Sequence, residues 1–129
     1  MNQTRTTIDA DGAPEAIGPY SHAVAAPGLL FCSGQVPLDP DSGELVGGGV
    51  AEQTERCLRN LAAVCESAGT SLDRALKLTI YTTQLDRFPE INDAYAEFFP
   101  AEHPARAAVG VAALPKGALV EIEAIVALA

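Results

Sequence analysis

Positive charge is what this 129-residue sequence has least of: eight Lys and Arg stand against 17 Asp and Glu, a formal net charge of -9. Nucleic-acid affinity comes largely from basic side chains neutralising phosphates, so scattered lysines and arginines in an acidic chain argue against it. A small anionic substrate is still allowed, because one cationic pocket suffices for it. The three cysteines, Cys32, Cys57 and Cys65, lack metal-ligand spacing, and their odd number fits a reduced compartment. Cys57 and Cys65 fall in a helical pattern and read as small buried thiols. The two histidines are far apart and make no recognised zinc pattern with these cysteines. No apolar run is long enough to span a bilayer, and the opening "MNQTRTTIDADGAPEA" lacks the layout of a signal peptide, so a cytoplasmic protein is expected. There is no phosphate loop: "LVGGGVAEQ" has glycines without the lysine or the strand–loop–helix setting. There is no Gly-x-Ser-x-Gly elbow either, and Ser21-His22 reads as a polar pair on a strand edge.

What is present describes an ordinary globular chain. Hydrophobic residues make up 48% and charged residues 19%, enough apolar material for a real core. Without repeats or linkers, a single domain over 1–129 is expected. "GAPEAIGPYSHAVAAPG" reads as a loop running into a short strand, and "LLFCSGQVPL" as a second strand paired with it. After the turn-rich "DPDSGELVGGG", residues Val50 to Ala68 carry apolar positions at three- and four-residue intervals and predict a helix stopped by Gly69. "ALKLTIYTTQL" predicts a strand. "FPEINDAYAEFFP" predicts a helix with Pro89 in its first turn and Ile91, Tyr95, Phe98 and Phe99 on one stripe. "ARAAVGVAAL", a turn at "PKGA" and "LVEIEAIVAL" complete an α+β order of β-β-α-β-α-β-β, with two helices on one face of a mixed sheet.

The last strand then raises a question. Val120, Ile122, Ala124 and Val126 point one way, and Glu121, Glu123, Ile125 and Ala127 the other. Two helices cover only one sheet face, and the second begins charged and becomes apolar. Large exposed apolar patches mark interfaces, so a homo-oligomer with sites between subunits is expected. Arg106 is the best candidate for an anion clamp, because its planar fork takes a carboxylate through two parallel hydrogen bonds. If the last two strands form a hairpin through "PKGA", Arg106 and Glu121 lie near the same end of adjacent strands. Taken alone, that pair reads equally as a site or as a strand-edge ion pair.

"AIGPYSHAV", "FCSGQVPLDPDSGEL", "INDAYAEFF" and "PARAAVGVAALPKGALVEIEAIV" together resemble the Rid family, the reactive intermediate (imine) deaminases also called the YjgF family, over about Ala16 to Ala127. The resemblance implies a chorismate-mutase-like α+β fold assembled as a homotrimer with clefts between subunits. It also implies hydrolysis of 2-iminoacids and their enamine tautomers, such as 2-iminobutanoate and 2-iminopropanoate, to 2-oxoacids and ammonia, without cofactor or metal. By the same match Arg106 holds the substrate carboxylate and Glu121 positions or activates the attacking water. Tyr20, Ser33, Gly34 and Asn92 line the cleft. Structural readings stand beside these: Tyr20 as a strand cap, Gly34 as a bulge, Asn92 as a solvated helix position. The chain departs from the family pattern at Ala108, where many RidA members carry a cleft cysteine, and at His103, which replaces an aromatic before "PAR". The stretch from Phe99 to Arg106 is also shorter than in some members. Alternatives within the fold are a non-catalytic binder or sensor of small carboxylates, a chaperone-like protein and, disfavoured by the charge, a ribonuclease.

Overall fold

A computed structural model describes residues 4–128. Strands β1 (Thr6–Ile8), β2 (Ala23–Ala26) and β3 (Leu29–Gln35) are followed by helix α1 (Val50–Ser67), β4 (Ala75–Thr82), α2 (Phe88–Ala96), β5 (Ala105–Gly110) and β6 (Val120–Ala127). The strands form a six-stranded sheet in the order β1-β2-β3-β6-β4-β5. β4 and β5 run parallel, joined through α2, and the other neighbours are antiparallel. The expected α+β class and mixed sheet are therefore found. Two features of the expected order are corrected. β1 extends the sheet beyond the expected strands; at three residues it is too short for alternation to reveal. The expected hairpin between the last two strands does not form either. β4 lies between β5 and β6, because β6 pairs with β4 along its length and β5 adds to the outer edge of β4.

The helices arise where the apolar pattern predicts them. α1 buries Val50, Thr54, Cys57, Leu58, Leu61, Val64 and Cys65 on one face. At its start the Glu52 carboxylate accepts the Gly49 N–H at 2.8 Å, satisfying one of the helix's free donors. At its end Gly69 takes a positive φ of 81°. The amides of Gly69 and Thr70 bond back to the carbonyls of Glu66 and Cys65, the Schellman stop that a glycine allows. In α2, Pro89 lies in the first turn and Ile91 and Tyr95 are buried. Phe99 is buried just past the helix, whereas Phe98 is half-buried.

The core lies between these helices and one side of the sheet. Leu30, Leu58, Leu61, Leu78, Ile80, Ile91, Ile122 and Val126 are fully buried there, each contributing about 1.5–3 kcal/mol of apolar burial. β6 alternates without exception, with Val120, Ile122, Ala124 and Val126 buried and the residues between them half-buried on the open side. On that open side Phe31 is 44% and Val109 40% exposed.

Two buried amides on α1 fasten the loops beyond the sheet. Gln53 Oε1 accepts the Leu119 N–H at 2.8 Å, just ahead of β6. Asn60 Nδ2 donates to the carbonyls of Leu38 (3.1 Å) and Val36 (3.3 Å), just after β3. His22 is a third such fastener and corrects the strand-edge expectation. It is buried, its Nδ1 accepts the Ala10 N–H at 2.8 Å, and its Nε2 donates to the Pro14 carbonyl at 2.8 Å.

Candidate functional site

The residues singled out from the sequence fall into two groups, one on each side of the sheet. The first group gathers around Glu121. It projects from β6 on the open side, half-buried, level with Tyr81 on β4. Across from it the β3–β6 register slips between Cys32 and Gln35, a bulge that contains Ser33 and Gly34. The bulge reading of Gly34 is thus correct, and the backbone there also passes close to Glu121: a Cβ on Gly34 would lie 3.0 Å from Cδ of Glu121 and collide with its Oε2. Ser33 is fixed by its Oγ donating to the Ser21 carbonyl at 2.7 Å and its N–H donating to the His22 carbonyl at 2.9 Å. Tyr20 stands 43% exposed, its hydroxyl accepting the Ile17 N–H at 3.3 Å. These residues border a cavity of about 390 Å³ that also touches Pro115 and Glu123.

Burial pushes the Glu121 carboxyl above its ordinary range, and the neighbouring Glu123 charge pushes it further. A carboxylate in that position is a stronger base than one in water. Among the described residues no cation lines this cavity.

The second group gathers around Arg106. On β5 this residue is level with Leu78, which is buried against the helices, so its side chain rises on the helical side at the sheet edge. Its Nη1 donates to Asn92 Oδ1 at 2.8 Å. Its guanidinium carbon lies 4.9 Å from the ring centroid of Tyr95 and 5.2 Å from that of Phe88, within reach of attraction by both ring faces. Phe88 and Tyr95 were not singled out for the site: Tyr95 was expected on the apolar stripe of α2 with Ile91, Phe98 and Phe99, and Phe88, seven residues before it on the same face, was the signal left unread. Ala108 is exposed on the same side of β5 as Arg106, two residues on. A second cavity, of about 490 Å³, lies beside Arg106 and is bounded by Asn92, Tyr95, Phe99, His103 and Pro104. Among the described residues no carboxylate pairs with Arg106.

Arg106 and Glu121 are therefore not neighbours, contrary to the hairpin expectation. Glu121 is level with Tyr81, Tyr81 with Val109, and Val109 is three positions beyond Arg106 on a strand two places away. Strand geometry converts this to about 10 Å along and about 10 Å across the sheet. The two side chains also leave opposite faces. The bland reading, an ion pair within one chain, is excluded. What remains is an acidic half-site lacking a cation and a cationic half-site lacking an anion, each exposed at the surface.

Comparison with known proteins agrees with this architecture. Residues 10–128 match the family model described as Endoribonuclease L-PSP. The RutC family protein y4sK of Sinorhizobium fredii is 49% identical over 94% of this chain and 96% of its own. The human 2-iminobutanoate/2-iminopropanoate deaminase is 43% identical over 94% of this chain and 88% of its own. The crystal structure of E. coli TdcF with bound serine superposes with a TM-score of 0.90 at 38% identity, covering 96% of this chain and 99% of that one. With its matching residues, its fold and its relatives in agreement, the chain belongs to the Rid family, the YjgF/RidA group that the Endoribonuclease L-PSP model describes.

Proposed function

We propose that this protein hydrolyses reactive 2-iminoacids and their enamine tautomers, 2-iminobutanoate and 2-iminopropanoate among them, to the 2-oxoacid and ammonia. The observation that carries the reading is the pair of half-sites with opposite, unpaired charges on opposite faces of one sheet. Two different patches that complete each other form a head-to-tail interface, and such an interface closes into a ring when its rotation allows. A homotrimer with three inter-subunit clefts is the ring proposed here, with the apolar open face around Phe31 and Val109 covered by the neighbouring copies. In each cleft Arg106 of one copy faces Glu121, Gly34, Ser33 and Tyr20 of the next.

The substrate suits such a cleft. A protonated 2-iminoacid is a zwitterion: its carboxylate fits Arg106 and its cationic iminium end faces the acidic half. Arg106, prepositioned by Asn92 and the rings of Phe88 and Tyr95, fixes the carboxylate and so places the imine carbon. Glu121 takes a proton from a water molecule as its oxygen bonds to that carbon. The C=N π electrons move to nitrogen, giving a tetrahedral amino alcohol. Glu121 then returns that proton to nitrogen, and nitrogen leaves as ammonia while the electrons of the O–H bond form the C=O bond, the hydroxyl proton passing through Glu121 to solvent, so that the net products are the 2-oxoacid, ammonia and one proton. One water is consumed per imine, and no redox change occurs. Ala108 beside Arg106 leaves the cleft wall smaller there than a cysteine would, which bears on the side chain accepted.

The test generates the imine in place with an amino-acid oxidase or threonine dehydratase and lets semicarbazide compete for it. Suppressed semicarbazone formation and faster oxoacid release with the wild type, lost in Arg106→Ala, are the expected results. Binding of an oxoacid without any effect on trapping would instead favour a non-catalytic small-carboxylate binder.

A further inference from the structure

The acidic half-site holds two carboxylates, and the chemistry above uses one. Glu121 and Glu123 are two residues apart on β6, so they leave the same face, and both border the cavity next to Gly34. Tyr81 lies directly opposite Glu121 in the β4–β6 register. Its hydroxyl nonetheless donates to the diagonal neighbour, Glu123 Oε1, at 2.8 Å. Glu123 is thereby fixed, whereas Glu121 has no hydrogen-bond partner among the described residues.

Building on the imine-deaminase reading, we propose that Glu123, clamped by Tyr81, is a positioning residue for Glu121: it takes up the Tyr81 hydroxyl and sets a second negative charge on the same wall, so that Glu121 stays free of protein hydrogen bonds and poised to take a proton from water. Three observations support this. The tyrosine that could have bonded Glu121 is occupied elsewhere. The two carboxylates share one cavity wall with no cation between them. The Glu123 charge adds to burial in raising the Glu121 carboxyl. The Tyr81 hydroxyl is in turn held above its ordinary range, chiefly by its bond to Glu123.

The other titratable groups around Glu121 are few. Tyr20 borders the same cavity. Cys32 on β3 and Cys57 on α1 are buried thiols, and both are pushed upward, so they stay neutral through the working range. Arg106 of the neighbouring copy would face the cleft from the other side and act in the opposite direction. Of the groups within the protomer, Glu123 is the charge whose removal changes the behaviour of Glu121 most.

The experiment measures kcat/KM against pH for the wild type, Glu123→Gln and Tyr81→Phe. In parallel, carbon-detected NMR follows the titration of the Glu121 side-chain carboxyl in the same full-length proteins. In Glu123→Gln the acid limb should move to lower pH, with turnover at neutral pH reduced about 3- to 10-fold as the base weakens and KM little changed. Tyr81→Phe should move both in the same direction by less. The NMR titration of Glu121 should move with the kinetic limb. A Glu121 titration unchanged by Glu123→Gln would overturn the proposal, as would a uniform loss of activity at every pH accompanied by a lower Tm. Absence of imine turnover in the wild type would overturn the deaminase reading, and with it the catalytic meaning of Glu123. The NMR titration would still decide whether the two carboxylates are coupled.

Discussion

Gly34 and Glu121 approach so closely that a methyl group on Gly34 would lie 3.0 Å from Cδ and 3.2 Å from Cγ of Glu121 and overlap its Oε2. The bulge between Cys32 and Gln35 brings them together. The backbone of Gly34 is not in the left-handed region, so alanine meets no conformational penalty there. What must yield is the flexible end of Glu121. Gly34→Ala should therefore fold and assemble with a Tm close to wild type, with the carboxylate displaced from the cleft. Turnover should fall by about 10²-fold, the low end of what a positioned general base contributes, and KM should change little because Arg106 is untouched. Steady-state kinetics beside a thermal melt would decide it: unchanged turnover would mean that the Glu121 position is unimportant.

Replacing Glu121 with Gln should separate activity from stability. The folded chain raises this carboxyl above its ordinary value, so it binds its proton more tightly folded than unfolded. The associated stability is complete below the ordinary glutamate value of about 4.3 and is lost as pH rises through the raised folded value. Gln pays no such penalty. In an Arg106→Ala background, which removes the opposing charge proposed to come from the neighbouring copy, the Glu121→Gln variant should be more stable than its Glu121 parent at pH 7. The gap should close below about pH 4. Denaturant midpoints across that range measure it, and parallel curves would contradict the raised carboxyl. With Arg106 present, Glu121→Gln should slow turnover by about 10²- to 10⁴-fold.

If each cleft takes Arg106 from one copy and Glu121 from the next, two inactive proteins should repair one another. Arg106→Ala and Glu121→Ala homo-oligomers each lack an intact cleft. Unfolded together and refolded at equal ratio, they should regain about one quarter of wild-type activity, since random placement makes one cleft in four intact in a head-to-tail ring. A site confined to one chain would give no recovery at all. Native mass spectrometry of the same mixture reads the number of copies directly.

The sequence made the elements legible but not their order. α1 and β6 were plain because both carry long, regular apolar periods, and the Gly69 stop and Pro89 start follow from backbone chemistry alone. β1 was not visible, since three residues hold too little alternation. The position of β5 was misjudged because "PKGA" looks like a hairpin turn. In fact Pro115–Gly117 forms one 3-10 turn, with Lys116 at a φ of 59°, that carries the chain past β4. Adjacency in sequence then concealed the division of the site, which only register and face could reveal. The residues named for the site were legible through their resemblance to a family. Their supporters were not: Gln53 and Asn60 interrupt an apolar stripe as buried amides, and a single sequence gives no way to tell which loop carbonyl or amide such a group will reach.

Arg106 is held three ways, by Asn92 Oδ1 at 2.8 Å and by the faces of Phe88 and Tyr95. Lysine keeps the charge at this position but loses the planar fork, and with it both the two-bond grip on a carboxylate and the stacking. Arg106→Lys should therefore raise KM strongly, by about 10-fold or more for a lost charge-assisted bond, and Arg106→Ala should raise it further. Asn92→Ala removes one of three restraints and leaves the guanidinium in place, so its effect should be a severalfold rise in KM. If Arg106 is the group that meets the substrate carboxylate, as proposed, the Arg106→Ala and Asn92→Ala effects should not add: the double variant should behave as Arg106→Ala alone. Full additivity in that cycle would mean that Asn92 meets the substrate directly, and that the cleft reads the carboxylate with two side chains.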